Sequence, residues 1–216
     1  DFACDFIHIN KKSIDFKIPG TLGIIQAYSV WQDNKNMDFY PELDAKQYLA
    51  NSHNHPKLNF IYATLPDLSA DLLLKLKRDT TAVLLIDTNN EHGMAEQRRL
   101  FMELMTTNCL VPVIIGRYYE SLTPECLRLE AATDMGALLI DGLGDGIFIA
   151  KEDCGAIEKV NHTAFGILQA SRTRISKTEY ISCPSCGRTL FDLQEITAIV
   201  RKRTSHLKGV KIGIMG

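Results

Sequence analysis

The sequence predicts an α/β fold made of repeated βα units, followed by a second, smaller α/β unit. From Leu58 onward, short apolar runs rich in β-formers alternate with amphipathic helical segments at intervals of about 25 to 30 residues, which is typical of parallel strands joined by helices. The charge also changes sign near Lys159: residues 1–158 carry 14 basic and 23 acidic side chains, whereas residues 159–216 carry ten and three. We therefore expect two domains, at 1–158 and 159–216.

The repeat has four predicted strands, at 58–65, 81–86, 111–117 and 137–140. Helices are predicted at 68–77 and 94–105, where leucine and methionine recur at helical spacing, and a third helix begins with Thr123 as N-cap and Pro124 at its first position. Upstream, 6–9 and 22–25 are predicted strands and 44–50 a helix. Because such crossovers are right-handed, the candidates are a partial TIM-barrel-like sheet or an open parallel sheet.

A glycine-rich loop, 141–146, reads DGLGDG and follows the predicted strand 137–140. Three glycines in five residues allow either a tight strand-linking turn or a close approach of the backbone to a ligand, and both readings stay open. The loop is not a dinucleotide fingerprint, because the last glycine of GxGxxG is missing and the strand-like run 147–149 follows.

Composition restricts the class of protein. At 216 residues and 45% hydrophobic, the chain can bury a substantial core, and it lacks an apolar run of about 18 residues that would cross a membrane. Six scattered cysteines and the absence of a signal-like start favour a reducing compartment, so we expect a cytoplasmic protein. His53 and His55 are expected to be solvated loop residues and not metal ligands.

The smaller unit is predicted as a helix at 161–171, a strand at 180–182, a helix opened by a capping box of Thr189 and Asp192, and a strand at 210–215. The apolar positions 190, 193, 196 and 200 are expected to face inward. Arg172, Arg174 and Lys177 precede the first of these strands, where they could hold an anion or simply form a solvated basic turn.

Two cysteines at 183 and 186, in the run CPSCG, are the most chemically specific feature of the chain. Thiols at this spacing can share a metal ion, ligate an iron–sulfur cluster or form a redox disulfide. A zinc knuckle would need a second pair of ligands, a glutaredoxin-like dithiol would need a later cis-proline, and a cluster would need more than two ligands. The residues by themselves therefore define half of a site.

Three segments carry a family resemblance: the run from Thr178 to Gln194, TEYISCPSCGRTLFDLQ; the loop 139–146; and the closing run 210–216. They resemble the (E)-4-hydroxy-3-methylbut-2-enyl diphosphate synthases, in their large, three-domain form. The resemblance implies an iron–sulfur oxidoreductase of the non-mevalonate isoprenoid pathway, which reduces 2-C-methyl-D-erythritol 2,4-cyclodiphosphate on a [4Fe-4S] cluster held by three cysteines and one glutamate. Cys183 and Cys186 match the first two ligands, so these residues alone would hold an incomplete cluster.

The resemblance also implies roles for other residues and partners. Arg172 and Arg174 would bind the diphosphate, with Lys177 and Arg188 as further candidates, and Asp141 stands where short relatives have a catalytic glutamate. Ferredoxin or flavodoxin would supply electrons to a homodimer located in the cytoplasm, or in the plastid stroma of a plant, without nucleic-acid or membrane partners. Residues 1–136 would belong to the inserted domain of the large form, with a structural role or, as the alternative, with an acidic surface on which a redox partner docks.

Overall fold

Seven parallel strands form the main sheet. The computed structural model describes residues 3–15, 17–34, 36–50, 54–120, 123–151, 157–184 and 189–215. The strands are β1 (Phe6–Asn10), β2 (Gly23–Ala27), β3 (Phe39–Asp44), β4 (Asn59–Ala63), β5 (Ala82–Ile86), β6 (Val113–Tyr119) and β7 (Gly146–Lys151), and they lie side by side in chain order. This sequential parallel order confirms the predicted βα repeat and its extension upstream of Leu58, where β3 was not predicted.

The sheet curls into a half-barrel. The ring of His8 on β1 lies 5.5 Å from that of Phe148 on β7, although these are the two edge strands of the sheet. An aromatic cluster fills the concave side, where Phe6 meets Phe60 at 5.1 Å and Tyr40 at 5.7 Å. Alternate residues along each strand face the opposite, convex side. The partial-barrel alternative is therefore the one that the chain adopts.

Helices cover the convex side and close the core. They are α1 (Tyr28–Trp31), α2 (Ala45–Ala50), α3 (Ala70–Leu76), α4 (Gly93–Thr106), α5 (Pro124–Ala131), α6 (Ala137–Ile140) and α7 (Ile157–Ala170). The predicted helical stripes are largely buried there, since Leu72, Leu76, Leu100 and Leu104 are at most 3% exposed. The side chain of Thr123 caps α5 by accepting a hydrogen bond from the Cys126 amide at 3.2 Å, as predicted.

The predicted strand 137–140 is wrong, because this segment is α6. It continues α5 through a turn of π-helix, Ala132–Gly136, and buries Leu138 and Leu139. A short apolar run gives no periodicity that separates a strand from a buried helix, and here packing decided. The glycine-rich loop consequently leads from a helix into the start of β7. Gly142, at φ +76°, follows the C-cap of α6, and its amide donates to the Leu139 carbonyl at 3.0 Å, so it terminates the helix.

The expectation that His55 is solvated is also wrong. His55 is 3% exposed, packs 4.8 Å from the Tyr40 ring, and accepts hydrogen bonds at Nδ1 from the amides of Lys57 (3.1 Å) and Leu58 (3.3 Å). Burial lowers its pKa below the ordinary value, so the imidazole is neutral at pH 7. Its neighbour His53 lies outside the described residues.

The smaller unit contains β8 (Glu179–Ser182), α8 (Leu193–Thr204) and β9 (Lys211–Ile214), with β8 and β9 parallel. Helix α8 begins differently from the prediction: Asp192 is itself the N-cap and accepts from the amides of Gln194 (2.8 Å) and Glu195 (3.1 Å). The predicted inward face is wrong at two of its four positions, since Leu190 precedes the helix and is 97% exposed and Ile196 is 37% exposed.

Helix α7 packs against the half-barrel, and its Ile167 belongs to the main core. This packing favours grouping α7 with the first sheet, and the division at 158/159 stays a prediction. Within the described part of the chain, no helix is both long and apolar enough to span a bilayer.

Candidate functional site at the carboxyl edge of the small sheet

Cys183 lies at the carboxyl end of β8. Its backbone amide donates a hydrogen bond at 2.9 Å to the carbonyl of Ile214, the last residue of β9. The thiol is half-buried and forms no disulfide. Because parallel strands end at the same edge of a sheet, residues that follow β8 and residues that follow β9 are delivered to one place. Ligands from two separate segments of the chain could therefore meet at this edge.

The second cysteine follows Cys183 by three residues in the sequence. Cys186 and Arg188 lie outside the described residues. Residues 189–192 are not helical, and α8 begins at Leu193, seven residues after Cys186. Among the described residues, no group of three or more His, Cys, Asp or Glu side chains is arranged to hold a metal ion. Among the described residues at this edge, the candidate metal ligand is therefore the thiol of Cys183, and thiols are soft ligands that suit iron and zinc.

Three of the predicted diphosphate ligands lie at the other end of β8. Arg172, Arg174 and Lys177 all precede Glu179, where this strand begins, and a strand of four residues spans ~13 Å. The guanidinium of Arg174 is paired with the carboxylate of Asp5. The side chains of all three cations are exposed. The structure therefore brings none of the three beside Cys183 within the described part of the chain.

Asp141 lies in the half-barrel, where it is the C-cap residue of α6. Its carboxylate accepts a hydrogen bond from Arg98 Nη2 at 2.5 Å, and its side chain is 49% exposed. The loop that it opens leads into the amino end of β7, whereas ligands of parallel sheets bind at the carboxyl ends of the strands. The contacts of Asp141 are those of an exposed ion pair.

The sequence analysis did not find two polar pairs near the carboxyl ends of the half-barrel strands. His8 Nε2 lies 2.9 Å from Glu42 Oε2, and Tyr62 Oη donates to Asp87 at 3.2 Å. Burial and the neighbouring charge of Asp87 raise the pKa of Tyr62 to about 12. Alternation along β1, β3 and β4 places His8, Glu42 and Tyr62 on the concave face, but strand β3 was not recognised in the sequence. The Tyr62 hydroxyl is hydrogen-bonded to Asp87, whereas the buried His8 Nε2 lies close to Glu42 without a well-formed hydrogen bond.

The chain is an α/β protein in which a parallel βα half-barrel is followed by a small parallel sheet. The carboxyl edge of the small sheet presents a free cysteine, a residue type that can bind soft metals. Residues 179–216 match the family described as GcpE protein C-terminal domain. The chain belongs to the 4-hydroxy-3-methylbut-2-en-1-yl diphosphate synthase family.

Relatives match both parts of the chain. A protein of Parabacteroides distasonis named 4-hydroxy-3-methylbut-2-en-1-yl diphosphate synthase (flavodoxin) is 42% identical over 212 residues, which are 98% of this chain and 34% of that protein. One of the same name from Phocaeicola vulgatus is 42% identical over 215 residues, 100% of this chain and 35% of that protein. A rice protein named as the chloroplastic, ferredoxin form is 50% identical over 120 residues, 55% of this chain and 16% of its own length. The chain spans about a third of the length of the two bacterial relatives.

Proposed function

We propose that this chain is part of an iron–sulfur oxidoreductase that reductively converts 2-C-methyl-D-erythritol 2,4-cyclodiphosphate to 4-hydroxy-3-methylbut-2-enyl diphosphate. In this proposal Cys183 and Cys186 are two ligands of a [4Fe-4S] cluster. The observation that carries it is the contact of the Cys183 amide with the Ile214 carbonyl at 2.9 Å, because a ligand just after β9 would then lie beside Cys183. Thiolates from separate segments are the usual ligands of such clusters.

The residues at this edge fit a cluster better than a dithiol. A glutaredoxin-like pair would place its reactive thiolate at the amino end of a helix, which lowers the pKa of a thiol. Here the helix that follows begins at Leu193, and its first amides are already bonded to the Asp192 carboxylate. When bound, the cluster would pass single electrons to the substrate. The part of this chain is to hold the cluster through thiolates at the rim of a small sheet.

Substrate and donor belong to the same proposal. Arg188, two residues after Cys186 in the sequence, is the cation whose position along the chain suits a diphosphate beside the cluster. Arg172, Arg174 and Lys177 could contribute only if the diphosphate, or a movement of the chain, spans the length of β8. A catalytic role for Asp141 rests on the resemblance alone. Electrons would come from flavodoxin or ferredoxin, as the names of the relatives indicate for those proteins.

The test is a pair of cysteine substitutions in the full-length protein. Cys183→Ser should remove the cluster absorbance and most of the bound iron, because thiolate ligation is required for assembly, and with them the turnover driven by reduced flavodoxin. Cys126→Ser is the matched control, since Cys126 is an exposed free thiol on α5. This variant should keep the cluster absorbance, the bound iron and the turnover. A Cys183→Ser protein with the iron content and spectrum of the wild type would contradict the proposal.

A further inference from the structure

The segment 171–178, between α7 and β8, leaves the helix in a fixed direction. The amide of Thr173 donates to the Leu168 carbonyl at 3.0 Å, and the amide of Arg172 donates to the Gln169 carbonyl at 3.2 Å. Arg172 has φ +63°, so these bonds form a Schellman motif with an arginine at the position that usually holds glycine. A left-handed conformation is unfavourable for a residue other than glycine, which indicates that the direction of the exit is constrained by the surrounding structure.

The side chain of Gln169 then ties the far end of the segment back to α7. Its Oε1 accepts hydrogen bonds from the amides of Ser176 (2.8 Å) and Lys177 (3.3 Å), and its Nε2 donates to the Lys177 carbonyl at 3.4 Å. One half-buried side chain thus substitutes for the backbone partners that the segment lacks. At the next residue, the buried hydroxyl of Thr178 donates hydrogen bonds to the carbonyls of Thr204 and Leu207. These bonds anchor the start of β8 to the end of α8.

Arg174 joins this segment to two elements of the half-barrel. Its guanidinium binds both carboxylate oxygens of Asp5, the second at 3.3 Å, and Asp5 immediately precedes β1. The same guanidinium lies over the ring of Phe165 on α7, 5.1 Å from the ring centroid. The pair is about half exposed, so each contact is weak by itself. Both contacts act on a segment whose exit from α7 is already fixed by backbone hydrogen bonds.

We propose that Arg174 and Gln169 are positioning residues that clip segment 171–178 to α7 and β1, so that the unit of β8, α8 and β9 keeps one orientation against the half-barrel. The segment is then a rigid connection and not a free hinge. The orientation itself does not depend on the proposed reaction. Its importance for catalysis does rest on the proposed function, because the clip would set the position of Cys183, and of any cluster bound to it, relative to the rest of the protein.

The clip assigns Arg174 a different role from diphosphate binding. Substitutions of its partner Asp5 distinguish the two roles. If Arg174 acts through the clip, Asp5→Asn and Arg174→Ala should have similar effects, and the double variant should be no worse than either single one. If Arg174 is a substrate ligand, Asp5→Asn should leave the KM for the cyclic diphosphate unchanged while Arg174→Ala raises it.

The decisive measurement is a distance distribution in the full-length protein. Spin labels carried by non-natural amino acids are placed at Leu129 on α5 and Lys202 on α8, both exposed, and labelled protein is diluted into unlabelled protein. Pulsed electron resonance should give a narrow distribution for the wild type. Arg174→Ala and Gln169→Ala should broaden it by about twofold, because the small unit gains orientations. An unchanged width in both variants would overturn the clip, whatever the state of the cluster.

Three controls separate the clip from general damage. Gln169→Glu keeps the acceptor oxygen for the Ser176 amide and should retain most of the narrow distribution. Arg172→Gln removes a neighbouring exposed charge and should leave the width unchanged. The charge swap Asp5→Arg with Arg174→Asp should narrow the distribution again relative to either single change. A raised KM in Arg174→Ala with an unchanged width would assign the residue to substrate binding and overturn the inference.

Discussion

A largely buried ion pair of the half-barrel, between Arg117 and Asp134, offers a quantitative test. Asp134 lies in the π-helical turn and accepts hydrogen bonds from Arg117 Nε and from the Tyr119 hydroxyl, both at 3.0 Å. The side chains of Arg117 and Asp134 are only 12% and 14% exposed. Arg117 also donates from Nη1 to the carbonyls of Thr88 (2.6 Å) and Asn90 (3.1 Å), so it is fixed in place and cannot turn to solvent.

Asp134→Ala should therefore lower the free energy of unfolding by about 3 kcal/mol. This value is at the low end of the roughly 3 to 5 kcal/mol that breaking a buried ion pair costs, because two carbonyls still accept hydrogen bonds from the Arg117 guanidinium. Urea unfolding of the 216-residue chain, followed by circular dichroism, measures this loss. Asp134→Asn keeps both acceptor contacts and should cost less. Burial and the charge of Asp134 raise the pKa of Tyr119, so either variant should lower it in an ultraviolet titration. A loss below about 1 kcal/mol in Asp134→Ala would refute the reasoning.

Three further predictions concern the half-barrel. Gly144→Ala should destabilise the chain by about 2 to 4 kcal/mol, because φ is +92° and a Cβ would lie 2.6 Å from Ile115 Cδ1. Gly142→Ala, at φ +76° with no atom within 4 Å, should cost only the backbone strain of about 1 to 2 kcal/mol, and equal losses in urea unfolding would contradict this contrast. Burial lowers the pKa of His55, so the unfolded state binds more protons than the folded state. The free energy of unfolding of the wild type should therefore fall as the pH drops below about 6.5. In His55→Asn this contribution to the pH dependence of stability should be absent between pH 7 and 5. Burial opposes the ionised form of Asp79, but hydrogen bonds from Thr81 and Tyr48 outweigh this effect and lower its pKa. Asp79→Asn should therefore reduce the free energy of unfolding by about 1 to 2 kcal/mol at pH 7. This difference from the wild type should shrink below about pH 4, and urea unfolding at pH 7 and below pH 4 checks it.

Local patterns in the sequence determined most of the helices and strands. The run at 81–86 is rich in β-branched residues, which favour strands, and the stripe at 94–105 has a helical period. Thr123 with Pro124 marks a helix start through a side-chain bond that needs no tertiary partner. The cysteine pair is equally local as a signal, because a spacing of two residues is one at which thiols commonly bind a single metal or cluster. For these features, the physical cause lies within a few residues along the chain.

Tertiary structure decided the features that depend on distant partners. The run 137–140 forms a helix because it continues α5 and packs on the core, and its four apolar residues could not reveal that choice. His55 is buried because Tyr40 and Trp31 enclose it. The pairing of Arg174 with Asp5 joins residues 169 positions apart, so no spacing rule could predict it. The predicted role of Arg174 in diphosphate binding stays a prediction. Only the parallel register of β8 and β9 places Cys183 beside the end of the last strand, because a register is set by packing between strands and not by either strand alone.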